Sequence, residues 1–213
     1  TPKPKVITLH MEDPQAIDAN RRVIGRADWI VSNDLAAWRL YRAELAKAGK
    51  PDHAKRVLLW NCLGTGLPVP HAERRDIDVL ILGHPYSSRV ETVHAFIKRM
   101  PTTWTVCAVG DGWDKALAGF THKYLTTSPT LPEAETLALC VRAKTVLLAH
   151  RTQDDIGGFP VAAPESVHRG FLEAACGAVP LIDSARAFGL GWLRCERYED
   201  GGGAAIKAFE LMR

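Results

Sequence analysis

Short, unbroken apolar runs, each followed by a segment of helical periodicity, constrain this chain more than any other feature. IDVLILG (77–83), WTVCAVG (104–110), KTVLLAH (144–150) and AVPLID (178–183) place apolar side chains at consecutive rather than alternate positions. A strand with one face in water alternates apolar and polar, so runs of this kind need cover on both faces, as parallel strands have. Between them, SSRVETVHAFIKRM (87–100) and LPEAETLALCVRA (131–143) carry apolar residues at helical spacing. Ser87 or Ser88 is placed to cap the first of these helices, and Pro132 sits in the first turn of the second. The pattern predicts an α/β fold with parallel sheets.

The same alternation opens the chain. KVITLH (5–10), DWIVS (28–32) and RVLLW (56–60) read as strands; QAIDANRRVIG (15–25) and LAAWRLYRAELAKAG (35–49) read as helices, the second ended by Gly49. Asn61–Arg75, NCLGTGLPVPHAERR, is rich in Gly and Pro, lacks periodicity and reads as a linker. Two Rossmann-like lobes follow from this: residues 1–72 as a short or truncated N-terminal lobe with its linker, and residues 73–213 as the larger C-terminal one. Within the second lobe, Glu165–Gly177 supplies a helix, and GGGAAIKAFELMR (201–213) another. Trp29, Trp38, Trp60 and Trp104 fall in predicted elements and are assigned to core packing.

Composition excludes several classes. With 46% hydrophobic and 24% charged residues the chain is no disordered tail, and no apolar run approaches the ~20 residues that span a bilayer. The first residues, TPKPKVITLH, have no long apolar signal core. Five cysteines without a C-x-x-C spacing argue against zinc and a disulfide framework, and a cytoplasmic location is expected. A net charge of +3 fits a phosphate-bearing small ligand at least as well as a nucleic acid.

Open α/β sheets bind ligands beyond the carboxyl ends of their strands. Those ends carry His84, Pro85, Tyr86 and Arg89 after the first strand of the second lobe, and Asp111, Gly112 and Trp113 after the next. His150 and Arg151 follow the third, ahead of the segment ESVHRGFLEAACGAVPLID (165–183). Arg89, His150, Arg151, His168 and Arg169 thus gather at one edge with helix N-termini, an edge suited to a diphosphate. Glu173, four residues after Arg169 on one helical face, can accept from paired ribose hydroxyls, and Glu165 can do the same for a sugar. By spacing alone, Arg169 and Glu173 also make an ordinary surface ion pair. GDGW (110–113) reads first as a turn and second as a ligand loop. His94 and His122 read as structural histidines.

Residues 77–202 resemble the nucleotide-binding C-terminal lobe of GT-B glycosyltransferases, in the branch related to the spore-maturation protein CgeB. The resemblance rests on LGHPYSSR, on Gly110-Asp111-Gly112-Trp113, on Arg169 to Gly177 after a strand ending in His150, and on the Glu-x7-Glu spacing of Glu165 and Glu173. It implies that Glu173 binds the donor ribose and that Glu165, the catalytic candidate, contacts the transferred sugar. It also implies that Gly170 and Phe171 offer amides to the diphosphate, with Arg89 and Arg169 as its ligands and Asp111, Gly112 and His150 lining the nucleotide site. Residues 5–60 resemble the latter part of the acceptor lobe, where His10 is a candidate to face the cleft. The implied activity is transfer of a sugar (hexosyl or pentosyl) from a nucleoside-diphosphate sugar to an acceptor, with retention, without a metal and without a cofactor other than the donor. A GT-B sugar-nucleotide epimerase, a non-catalytic sugar-nucleotide or glycan-binding module, and a phage-type DNA-modifying glycosyltransferase are the alternatives on the same fold.

Overall fold

The computed structural model describes residues 3–10, 17–32, 35–59, 68–70, 74–149, 172, 174–183 and 195–212. In chain order the elements of the first lobe are β1 (Ile7–His10), α1 (Ile17–Arg21), β2 (Trp29–Ser32), α2 (Leu35–Lys47), α3 (Pro51–Ala54) and β3 (Val57–Leu59). The second lobe has β4 (Ile77–Leu82), α4 (Ser87–Arg99), β5 (Val106–Val109), α5 (Trp113–Ala116), β6 (Leu125–Ser128), α6 (Glu133–Arg142) and β7 (Ala143–Leu148). It closes with β8 (Val179–Asp183), β9 (Glu196–Tyr198) and α7 (Gly201–Leu211). The strands form two separate parallel sheets, β1-β2-β3 and β6-β5-β4-β7-β8-β9.

The consecutive apolar residues of β4 divide between two cores. Val79 and Ile81 face Val93, Phe96 and Ile97 of α4 and Met100 just beyond it, together with Trp113 and α7. Ile77, Leu80 and Leu82 face Leu137, Cys140 and Val141 of α6. Both faces are covered, as the sequence requires. In the first lobe, Ala37, Tyr41 and Leu45 of α2, spaced four apart, pack on Ile30 and Val57 with Ala54 of α3.

Local signals explain the element ends. Gly49 takes φ 73° beyond α2 and donates its N–H to Ala46 O, closing the helix as expected. Asp200 caps α7 by accepting from Gly203 N at 2.7 Å. The α4 expectation needs correcting. Tyr86 is the N-cap, in extended conformation, and makes no side-chain capping bond, whereas Ser87 already begins the helix. Pro132 is the N-cap of α6 and not a first-turn residue; its extended backbone (ψ 155°) suits that position.

The start of α7 lies against α4. A Cβ at Gly201 would collide with the Thr92 carbonyl, so glycine at this position allows the two helices to approach closely. At the amino edge of the second sheet, Arg75 donates to Ala143 O and, at 2.8 Å, to Cys176 O. Arg142 forks onto both oxygens of Asp76 at 2.8 and 2.7 Å. These ties fasten the end of the linker to the sheet, away from its carboxyl edge.

Candidate functional site at the switch point of the second sheet

From β4 the chain steps to β5 and β6 on one side, then returns to place β7, β8 and β9 on the other. The strand order therefore reverses between β4 and β7, and an α/β sheet opens a crevice at that point. Carboxyl-end carbonyls of parallel strands have no further ladder partners and present negative partial charge. Here several are occupied by side-chain donors. Trp113 Nε1 donates to Gly83 O at 2.7 Å. Arg89 donates from Nη1 to His84 O and from Nε to Ala149 O, both at 2.6 Å. Tyr198, at the end of β9, donates its hydroxyl to Leu148 O at 3.0 Å. Donors drawn from three places in the chain thus cover the ends of β4 and β7.

Arg89 is 8% exposed and lies 5.7 Å from the Tyr86 ring centroid. Its charge sits at the switch point beside the N-terminus of α4, whose amide dipoles point the same way, so the two add to a positive field in the crevice. The guanidinium nevertheless spends Nε and Nη1 on backbone carbonyls and clasps two strands together.

The GDGW turn is built for close approach. Gly110 takes φ 143° and Gly112 φ 98°. A Cβ at Gly110 would come within 2.5 Å of Gly83 O, which only glycine avoids. Trp113 is fully buried in the core. Asp111 is exposed and accepts from Thr130 N at 3.0 Å and from Thr130 Oγ1 at 2.9 Å. The Thr130 amide, then its hydroxyl, hold the Asp111 carboxyl below its ordinary pKa. Asp111 therefore anchors the segment between β6 and α6, while Gly112 caps α5.

Of the residues singled out from sequence, Arg89, Asp111 and Gly112 are placed around the carboxyl edge. His150, Arg151, Glu165, His168, Arg169, Gly170, Phe171 and Glu173 lie outside the described residues, as does Trp60. Cys176 N donates to Leu172 O at 3.1 Å, and Gly177, at φ 77°, leads into β8. His94 Nε2 lies 2.8 Å from Ala116 O, a structural contact as expected. His122 is likewise structural, 3.3 Å from Pro101 O. His10 ends β1 at 3% exposure, its ring edge-on to Tyr41 with centroids 5.2 Å apart. Sequence reasoning missed Tyr198 and Arg75, whose partners lie 50 and 101 residues away. Among the described residues no helix is long and apolar enough to cross a membrane.

No family model matches the sequence, and no curated protein matches it. Several solved structures are similar in fold, two of them as follows. One is the complex of T4 phage BGT with its UDP-glucose substrate, at TM-score 0.56 and 11% identity, covering 98% of this chain and 64% of that one. The other is accessory secretory protein 1, 2 and 3 of Streptococcus pneumoniae, at TM-score 0.53 and 9% identity, covering 96% of this chain and 45% of that one. The fold is the two-lobed GT-B type. The chain spans roughly half to two thirds of the length of the structures it matches.

Proposed function

We propose that this chain binds a nucleoside-diphosphate sugar at the switch point of its second lobe and transfers the sugar to an acceptor, as a glycosyltransferase of the CgeB-like branch. The observation that carries the reading is the pairing of Arg89 with the N-terminus of α4 between β4 and β7. This is where a GT-B fold offers positive potential to a diphosphate, and a UDP-glucose complex is among the structures of similar fold.

In transfer, the bond between the anomeric carbon and the diphosphate oxygen breaks, and negative charge grows on the departing diphosphate. Fixed positive groups that meet this charge without reorganising lower the barrier. Arg89 supplies part of that field from its buried position, and Arg169 with the amides of Gly170 and Phe171 supplies direct contacts. Glu173 accepts from the ribose hydroxyls and Glu165 contacts the transferred sugar, which favours retention. Asp111 and Gly112 act by shaping the loop that closes the nucleotide side, and His150 is assigned to the same nucleotide site by the resemblance. None of these roles requires a metal.

A panel of nucleoside-diphosphate sugars, each incubated with the chain, tests this by release of nucleoside diphosphate above the uncatalysed rate. Release that Glu165→Gln and Arg169→Ala each reduce at least tenfold supports transfer. Tight binding without release leaves a sugar-nucleotide-binding module, and conversion of the donor with no release leaves an epimerase. DNA that raises the release rate, with binding that falls steeply as salt rises, assigns the acceptor to the phage-type alternative.

A further inference from the structure

The strands of the first sheet step in one direction, β1-β2-β3, through parallel pairings. Right-handed crossovers that all step the same way place their helices on a single face. That face is the one on which Ile30 and Val57 meet α2 and α3. By the two-residue alternation of a strand, Ile7, Leu9, Trp29, Val31 and Leu58 project from the opposite face. They stand in rows across the sheet, Ile7 beside Trp29, and Leu9 beside Val31 beside Leu58. Ile7 is 61% exposed, Leu9 60%, Leu58 44% and Trp29 39%, while Val31, on the middle strand between them, is 8% exposed. Scattered exposed apolar residues are ordinary, but a contiguous group on one face of a parallel sheet is not. This also corrects the assignment of Trp29 to the core.

The amino edge of the same sheet is basic. Asp28 there accepts from Val6 N at 2.8 Å and pairs with Lys5 at 3.8 Å. Lys3 and Arg56 act on the same carboxylate, and Lys3, Lys5, Arg26 and Arg56 are all exposed.

We propose that this face docks an amphipathic helix, lying antiparallel to the strands, with its apolar stripe on Ile7, Leu9, Trp29 and Leu58 and its C-terminus at the basic edge. Three strands are two spacings wide, about 10 Å, and one helix with its side chains is about as broad. An antiparallel helix presents its negative dipole end to Lys3, Lys5 and Arg56. A second copy of the chain fits less well. The face measures roughly 10 by 13 Å, and a stable dimer buries about 800 Å² per partner.

A synthetic peptide of about 14 residues with leucines at helical i, i+3, i+4, i+7 spacing tests the proposal against a scrambled peptide of the same composition. The striped peptide is expected to bind the 213-residue chain at least tenfold more tightly and to slow amide exchange in β1–β3. Leu9→Asp and Leu58→Asp, at exposed positions that leave the fold intact, should each abolish the difference. Equal binding of both peptides overturns the proposal. So does flotation of the chain with phosphatidylglycerol vesicles, or a dimer in sedimentation that Leu9→Asp dissolves.

Discussion

Arg89 Nε donates to Ala149 O at 2.6 Å, so one side chain from the start of α4 holds the end of β7 across the point where the strand order reverses. The same guanidinium bonds His84 O beyond β4. Its charge is therefore part of the scaffold and part of the crevice's field at once. Arg89→Met should lower unfolding free energy by about 2–3 kcal/mol, since one buried and one part-buried carbonyl lose a charged donor. Arg89→Lys keeps the charge without the fork, and should recover nucleoside diphosphate affinity more fully than stability. Urea denaturation and calorimetry of the two variants read these effects separately.

Gly110→Ala brings a methyl within 2.5 Å of Gly83 O at a backbone angle of φ 143°. The strain and the displaced β4–β5 ends should cost about 3 kcal/mol. Gly119→Ala, with nothing within 4 Å of the new carbon, should stay within about 0.5 kcal/mol of the parent. Thermal melts of both variants check the contrast, and equal effects would place the GDGW turn outside the tightly packed edge.

Asp111 accepts from Thr130 only as a carboxylate, so its pKa in the folded chain lies below the ~3.9 of an unfolded aspartate. The stability it contributes is complete above that unfolded value and is lost as pH falls through the lower folded value. Asp111→Asn should therefore flatten the acid limb of a stability–pH curve below about pH 4 and leave the neutral region's slope unchanged. A variant whose acid limb matches that of the parent would remove Asp111 from this anchor.

The fold was readable where burial is two-sided. β4, β5, β7 and β8 are apolar at consecutive positions because helices cover both their faces. The edge strands β6 and β9 escaped notice for the opposite reason. LTTS and ERY are short and mostly polar, and so carry no run of apolar residues. Trp29 was misassigned because a strand pattern gives which residues share a face and not whether that face is covered. Around the site, the position of Arg89 beyond β4 followed from the sequence, but its inward turn did not. That turn depends on the carbonyl of Ala149, 60 residues away, which no local pattern reveals. Asp111 likewise reads as a ligand residue beside two glycines, yet its partner Thr130 is 19 residues on.

Glu173 is assigned to the donor ribose by the Glu-x7-Glu resemblance. A carboxylate that accepts two hydroxyl hydrogen bonds in a closed site contributes about 1.5–3 kcal/mol, so Glu173→Ala should weaken nucleotide binding roughly ten- to a hundredfold. Nucleotide at a hundred times its dissociation constant stabilises the parent by about 2.7 kcal/mol, and the variant should lose most of that gain while its ligand-free melting temperature holds. Survival of the full ligand-induced shift would make Glu173 the plain surface partner of Arg169.

The most direct measurement compares nucleoside diphosphates with their bare nucleosides by calorimetry on the unmodified chain, at low and at moderate salt. Binding at the switch point predicts that one nucleoside diphosphate binds at least tenfold more tightly than its nucleoside, with the margin shrinking as salt rises. Equal affinity for the pair, or no binding of any nucleoside diphosphate, would contradict a diphosphate site between β4 and β7.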